Sequence, residues 1–131
     1  MKLRIFLVED SEIIRANLEE ALIELGEAQV VAHAPGEAQA RAWLDTHSGQ
    51  WDLAVVDLFL KEGSGLGVLM AQRRRAPSQH VVVLSNYATR DMRSRCAALG
   101  ADAVFDKSTE LDELMNYCLQ LRKPPQGARI N

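Results

Sequence analysis

Apolar residues along the 131-residue chain fall into five short runs: LRIFLV (3–8), QVVAHA (29–34), DLAVV (52–56), HVVVL (80–84) and AVF (103–105). Several are nearly continuous in Val, Leu and Ile, where a strand with one wet face would alternate, so the pattern predicts strands buried on both faces, as in a parallel sheet. Between the runs the period becomes helical. Ile14, Leu18, Ala21, Leu22 and Leu25 make one stripe, and Leu111, Leu114, Met115, Cys118 and Leu121 make a cleaner one. A further helical stretch begins near Ala38, with Trp43 and Leu44 at its apolar end, and segments 66–75 and 88–99 are helix-compatible. Pro35-Gly36, Gly63-Ser64-Gly65, Ala76-Pro77-Ser78 and Gly100 punctuate the series as turns or helix ends. Strand followed by helix, five times over, predicts right-handed crossovers and a doubly wound α/β domain with a five-stranded parallel sheet and five helices on its two faces. Residues 1–122 are read as that domain and KPPQGARIN (123–131) as a frayed end or the start of a linker.

Composition narrows the setting. The length suits one core, and a net charge of −3 with interspersed signs gives no electrostatic argument for direct nucleic-acid or membrane binding. The start MKLRIFLVED has its apolar run broken by Glu9 and Asp10, so it does not read as a signal peptide. No apolar stretch approaches the roughly 20 residues of a membrane helix. Cys96 and Cys118 lie in helical patterns without CxxC or Cys/His metal spacing, which predicts buried free thiols in a cytoplasmic chain.

The chemistry enters through one misplaced charge. Asp57 interrupts the apolar sequence AVVDLFL, and a buried carboxylate is costly unless it is paired, coordinated or used. In a parallel sheet the residues just past the strand ends gather along one edge, where open α/β sheets bind ligands. Strand one ends in Glu9-Asp10, strand three in Asp57, strand four in Ser85-Asn86 and strand five in Asp106-Lys107. Any one of these alone is most simply a helix cap or a solvated side chain; together they bring carboxylates, a hydroxyl and an ammonium to one place. Clustered carboxylates of hard oxygen suit Mg²⁺, and an Asp carboxylate can act as a nucleophile toward a phosphoryl group, with metal and lysine neutralising the charge.

At these positions VEDS (8–11), VVDLFL (55–60), VLSN (83–86) and FDKS (105–108), in order over essentially the whole chain, resemble the response-regulator receiver domain of two-component signalling. The resemblance implies the sheet order 2-1-3-4-5. It implies Asp57 as phosphoacceptor and Glu9 and Asp10 as an acidic pair. Asp10, Asp57 and the Phe59 backbone carbonyl would be Mg²⁺ ligands, Glu9 being counted with the metal set. It further implies Lys107 against the phosphoryl group and Ser85 as the switch hydroxyl. The implied donor is a histidine kinase or histidine phosphotransfer protein. Output would go to an unidentified downstream protein, a homodimer through the fourth and fifth helices being one form of it. Such a domain catalyses only its own phosphorylation and dephosphorylation, here without an output domain in the chain.

The chain departs from the family pattern at three places. Val104 stands where receivers usually carry a Tyr or Phe whose ring follows the switch hydroxyl, and Phe105 points to the other face by strand alternation. Asn86 replaces a small residue and would narrow access to Asp57. Ser108 replaces a common proline, and serves as a cap for the last helix. Two alternatives are weighed against the receiver. A phosphatase using Asp57 as nucleophile would want a second acid two residues on, where Phe59 stands; a receiver-like binding module would take no phosphate. Gly63-Ser64-Gly65-Leu66-Gly67 lacks the spacing of a nucleotide loop and reads as a turn. Arg73, Arg74 and Arg75 read as a solvated helix end, Arg90, Arg93 and Arg95 mainly as a solvent face, and His33, His47 and His80 as scattered residues without a catalytic or metal role.

Overall fold

The computed structural model describes residues 2–122; the expected tail 123–131 lies outside the described residues. Five strands, β1 (Leu3–Val8), β2 (Ala28–Ala34), β3 (Leu53–Asp57), β4 (His80–Ser85) and β5 (Ala103–Asp106), alternate with helices α1 (Glu12–Glu24), α2 (Glu37–Thr46), α3 (Gly65–Ala71), α4 (Arg90–Ala98) and α5 (Leu111–Arg122). All strand pairs are parallel and the order is β2-β1-β3-β4-β5.

Alternate residues of each strand feed two separate cores, which is why the apolar runs are continuous. Leu3, Ile5, Leu7, Leu53, Val55, Val82, Leu84 and Phe105 pack against Leu18 and Leu22 of α1 and Leu114, Met115 and Cys118 of α5. Phe6, Val8, Ala54, Val56, Val81 and Val83 face Ala40 and Leu44 of α2, Val68 and Leu69 of α3 and Cys96 of α4. Each fully buried aliphatic side chain contributes about 1.5–3 kcal/mol. Both cysteines are buried free thiols, as expected.

Several expectations need correction. Ile14, Leu25 and Leu111 are exposed. Leu25 sits at the C-cap of α1, past the buried face, while Ile14 and Leu111 line a groove between α1 and α5 instead of closing it. Helix α3 stops at Ala71, short of the expected 75, because the chain turns to insert Arg75. That guanidinium is no solvated end: its side chain is 9% exposed, and it donates to the carbonyls of Gln72, Gln79 and Gly100 and to Asp102. The Arg93 side chain stays 39% exposed but is not free: it donates to the carbonyls of Ala88 and Val104 and to Glu110, so it ties α4 to β5 and the start of α5. Ser108 does not cap α5; its N–H and O–H both donate to Asp106 Oδ1.

Candidate functional site

From β1 the chain crosses outward to β2, and from the adjacent β3 it crosses the other way to β4, so a crevice opens at the carboxyl ends of β1 and β3. Register sets what meets there. Val8 pairs with Val56, which puts Glu9 beside Asp57; Asp57 pairs with Leu84, one residue before Ser85; and Ser85 pairs with Asp106, one residue before Lys107. The Lys107 N–H donates to the Ser85 carbonyl at 3.0 Å, holding the lysine at the end of β5.

Glu9 and Asp57 are 3% and 7% exposed. The Lys107 ammonium donates to Glu9 Oε1 at 2.8 Å and to Asp57 Oδ2 at 3.0 Å, neutralising the charge that the apolar run leaves unexplained. Asp10 joins them: one carboxylate oxygen each of Glu9, Asp10 and Asp57 lies within 4.8 Å of the others. The other Glu9 oxygen accepts the Ser11 N–H at 3.1 Å, and Ser11 itself caps α1. Asp10 accepts the Lys61 N–H at 2.7 Å, which folds the loop after β3 over the pocket. Asp57 Oδ1 accepts the Phe59 N–H at 3.3 Å. Ser85 is fully buried and its Oγ accepts the Tyr87 N–H at 3.0 Å. Asp106 stays outside the cluster, bound to Ser108 and Thr109.

The electrostatics follow from this packing. Burial pushes the Glu9 carboxyl above its ordinary range; the Lys107 bond opposes that and the Asp57 charge adds to it. Burial would lower the Lys107 ammonium, but its bonds to Glu9 and Asp57 outweigh that and hold its pKa above the usual lysine value. Three carboxylates against one ammonium leave two negative charges in partly dry surroundings, and the donors are hard oxygens. That donor set fits a divalent cation of the Mg²⁺ kind.

Gly65 keeps the loop after β3 close to the strand. A Cβ there would run into the Asp57 carbonyl and come within 2.8 Å of Leu58 Cα, and the Gly65 N–H donates to the Leu58 carbonyl at 3.0 Å. The Gly-Ser-Gly stretch is therefore a turn, with Ser64 capping α3. Asn86 is exposed and lines the groove of about 330 Å³ between α1 and α5, together with Ile14, Asn17, Leu111 and Lys107, so the groove opens beside the acidic pocket.

Residues 5–118 match the family model of the response regulator receiver domain. The chain belongs to that family. The receiver is 31% identical over 131 residues to the photosynthetic apparatus regulatory protein RegA of Cereibacter sphaeroides, with 94% of this chain and 67% of that protein covered. It is 28% identical over 111 residues to the DNA-binding transcriptional activator DevR/DosR of Mycobacterium tuberculosis, with 85% of this chain and 50% of that protein covered. The chain thus spans between half and two thirds of these relatives. The response regulator domain of Thermotoga maritima CheB superposes with a TM-score of 0.80 at 18% identity, over 95% of this chain and all of that one, which shows the shared fold. No helix among the described residues is long and apolar enough to cross a membrane.

Sequence reasoning located Glu9, Asp10, Asp57, Ser85 and Lys107, and the structure brings all five to one edge. It passed over Tyr87 and the Lys61 backbone, and it read Arg93 as mainly solvent-facing without its bonds to Ala88, Val104 and Glu110. Tyr87 carried one available signal, an aromatic residue two positions after the buried hydroxyl.

Proposed function

We propose that this receiver accepts a phosphoryl group on Asp57 from a phosphohistidine of a histidine kinase or phosphotransfer protein, and signals by protein contact. The observation that carries this reading is the Lys107 ammonium bridging buried Glu9 and Asp57 beside Asp10. An Asp57 oxygen attacks phosphorus, the P–N bond breaks, and its electron pair stays on the imidazole nitrogen, which takes up a proton. Lys107 sits against Asp57 and balances charge on the transferred group. Ser85 Oγ accepts from the Tyr87 N–H, which leaves the hydroxyl proton to donate to a phosphoryl oxygen. Asp10, Asp57 and the Phe59 backbone carbonyl, with Glu9 beside them, would hold Mg²⁺, which supplies counter-charge to the phosphoryl oxygens when bound. Hydrolysis returns the resting state: water attacks phosphorus, the P–O bond to Asp57 breaks, and the carboxylate and inorganic phosphate remain.

We seat the phosphohistidine partner on the groove between α1 and α5, since Lys107 belongs both to the groove and to the acidic pocket. Output is assigned to the α4 and α5 face, pairing of two copies included. Incubation with Mg²⁺ and a small phosphoramidate donor should give acid-labile phosphate that is absent in Asp57→Asn and after chelation. An unphosphorylated Asp57 under those conditions would overturn the reading in favour of a binding module, and multiple turnover of a phosphate ester would favour a phosphatase.

A further inference from the structure

Two aromatic side chains stand largely in solvent beside the site, Phe59 at 52% and Tyr87 at 64% exposure. Scattered exposed apolar residues need no explanation, but these two meet each other, with ring centroids 5.4 Å apart and planes at 82°. That is the edge-to-face arrangement aromatic pairs favour. The rings come from different loops, Phe59 from the one after β3 and Tyr87 from the one after β4. Each is tied through its backbone to a polar residue of the site. The Phe59 N–H donates to Asp57 Oδ1 and the Tyr87 N–H to Ser85 Oγ. A closed circuit therefore runs from Asp57 through the two rings to Ser85, whose strand neighbour Leu84 is paired with Asp57.

We propose that Phe59 and Tyr87 are positioning residues for the phosphoryl-receiving site. Their ring contact holds the Asp57 and Ser85 loops in the unphosphorylated arrangement and opens when Ser85 turns toward a phosphoryl group. This rests on the reading of Asp57 as phosphoacceptor. Ser85 is fully buried, with its oxygen held by the Tyr87 N–H. Bringing that hydroxyl to an oxygen beyond Asp57 shifts the atom to which Tyr87 is bound, and the tyrosine ring moves with its backbone. Half-buried Val104 has no ring to follow Ser85, so the aromatic group linked to the hydroxyl is Tyr87. A contact made in one of two states biases the equilibrium toward that state by its own strength.

The test is titration of the full chain with beryllofluoride, a phosphoryl mimic, at saturating Mg²⁺, followed by the amide shifts of Ser85 and Lys107. Tyr87→Ala and Phe59→Ala should each tighten binding by about two- to fivefold, the worth of one exposed aromatic pair. The double variant should bind no more tightly than either single one, because both remove the same contact. Tyr87→Phe keeps the ring and should bind with the weaker wild-type affinity, without the gain seen in Tyr87→Ala. Wild-type binding accompanied by unchanged or weaker binding in the alanine variants, or by gains that add in the double variant, overturns the proposal. A wild-type chain whose Ser85 and Lys107 amides do not shift overturns the phosphoacceptor reading as well, which separates the two failures.

Discussion

Replacing Lys107 by Met removes the ammonium that donates to Glu9 at 2.8 Å and Asp57 at 3.0 Å while keeping an unbranched side chain of similar length. The lysine, glutamate and aspartate side chains are 12%, 2% and 8% exposed, so solvent screens this pairing little. Removing one member of a buried ion pair costs about 3–5 kcal/mol, and two lost charge-assisted hydrogen bonds of about 1.5–3 kcal/mol each give a similar figure. Without divalent cation at pH 7 the variant should lose that much stability, about 11–18 °C in Tm for a chain of this size.

The pH dependence identifies the cause. Burial and the Asp57 charge already raise the Glu9 carboxyl, and losing Lys107 raises it further. A folded state that holds this proton more tightly than the unfolded chain loses stability as pH rises, by up to about 1.4 kcal/mol per pH unit for one proton. Lys107 in the wild type, with its pKa raised, contributes fully below the ordinary lysine value and is lost only as pH rises through its folded value, so it is constant from pH 5 to 8. The gap between the proteins should therefore narrow as pH is lowered from 8 to 5. Urea denaturation in chelator across that range measures it, and a variant folded at pH 5 but unfolded at pH 8 would support the same account. A gap below about 1 kcal/mol that is flat with pH would mean that Lys107 behaves as a surface charge, and would refute its role as the counter-charge of the pocket.

Gly65→Ala should destabilise the protein by more than the roughly 1 kcal/mol of an average point substitution, because its Cβ meets the Asp57 and Leu58 backbone and not a movable side-chain end; thermal melts check this, and an unchanged Tm would contradict it. In alkaline solution, burial raises Tyr117 to about 12 and Cys118 to about 12. Both groups hold their protons more tightly folded than unfolded, so stability should fall from about pH 9, where an unfolded thiol begins to ionise, toward pH 12. Denaturation at stepped pH measures the fall, and Tyr117→Phe should flatten its part above about pH 10; a flat stability curve in the wild type would show that neither group is shielded.

Much of this receiver was legible from one dimension. Strands buried on both faces leave continuous Val, Leu and Ile runs, and polar residues ending four of the five runs marked a shared edge, since parallel strands all end on the same side. Glu9, Asp10, Asp57, Ser85 and Lys107 could be named because each breaks an apolar pattern or ends one.

Other features depend on partners far away in the chain, and no local period reports them. Arg75 reads as a surface cation until Gly100 and Asp102 arrive to bind it. Ile14 and Leu111 fit helical stripes, yet they face a groove because no third element among the described residues covers α1 and α5 there. Ser108 reads as a helix cap until Asp106 takes both its donors. The aromatic contact between Phe59 and Tyr87 joins loops that only the pairing of β3 with β4 makes neighbours. Sequence alone thus determined which residues must leave water and which charges needed an answer. The tertiary structure decided which groups answer them, because hydrogen bonds and ion pairs act over about 3 Å and depend on which distant segments the sheet order brings together.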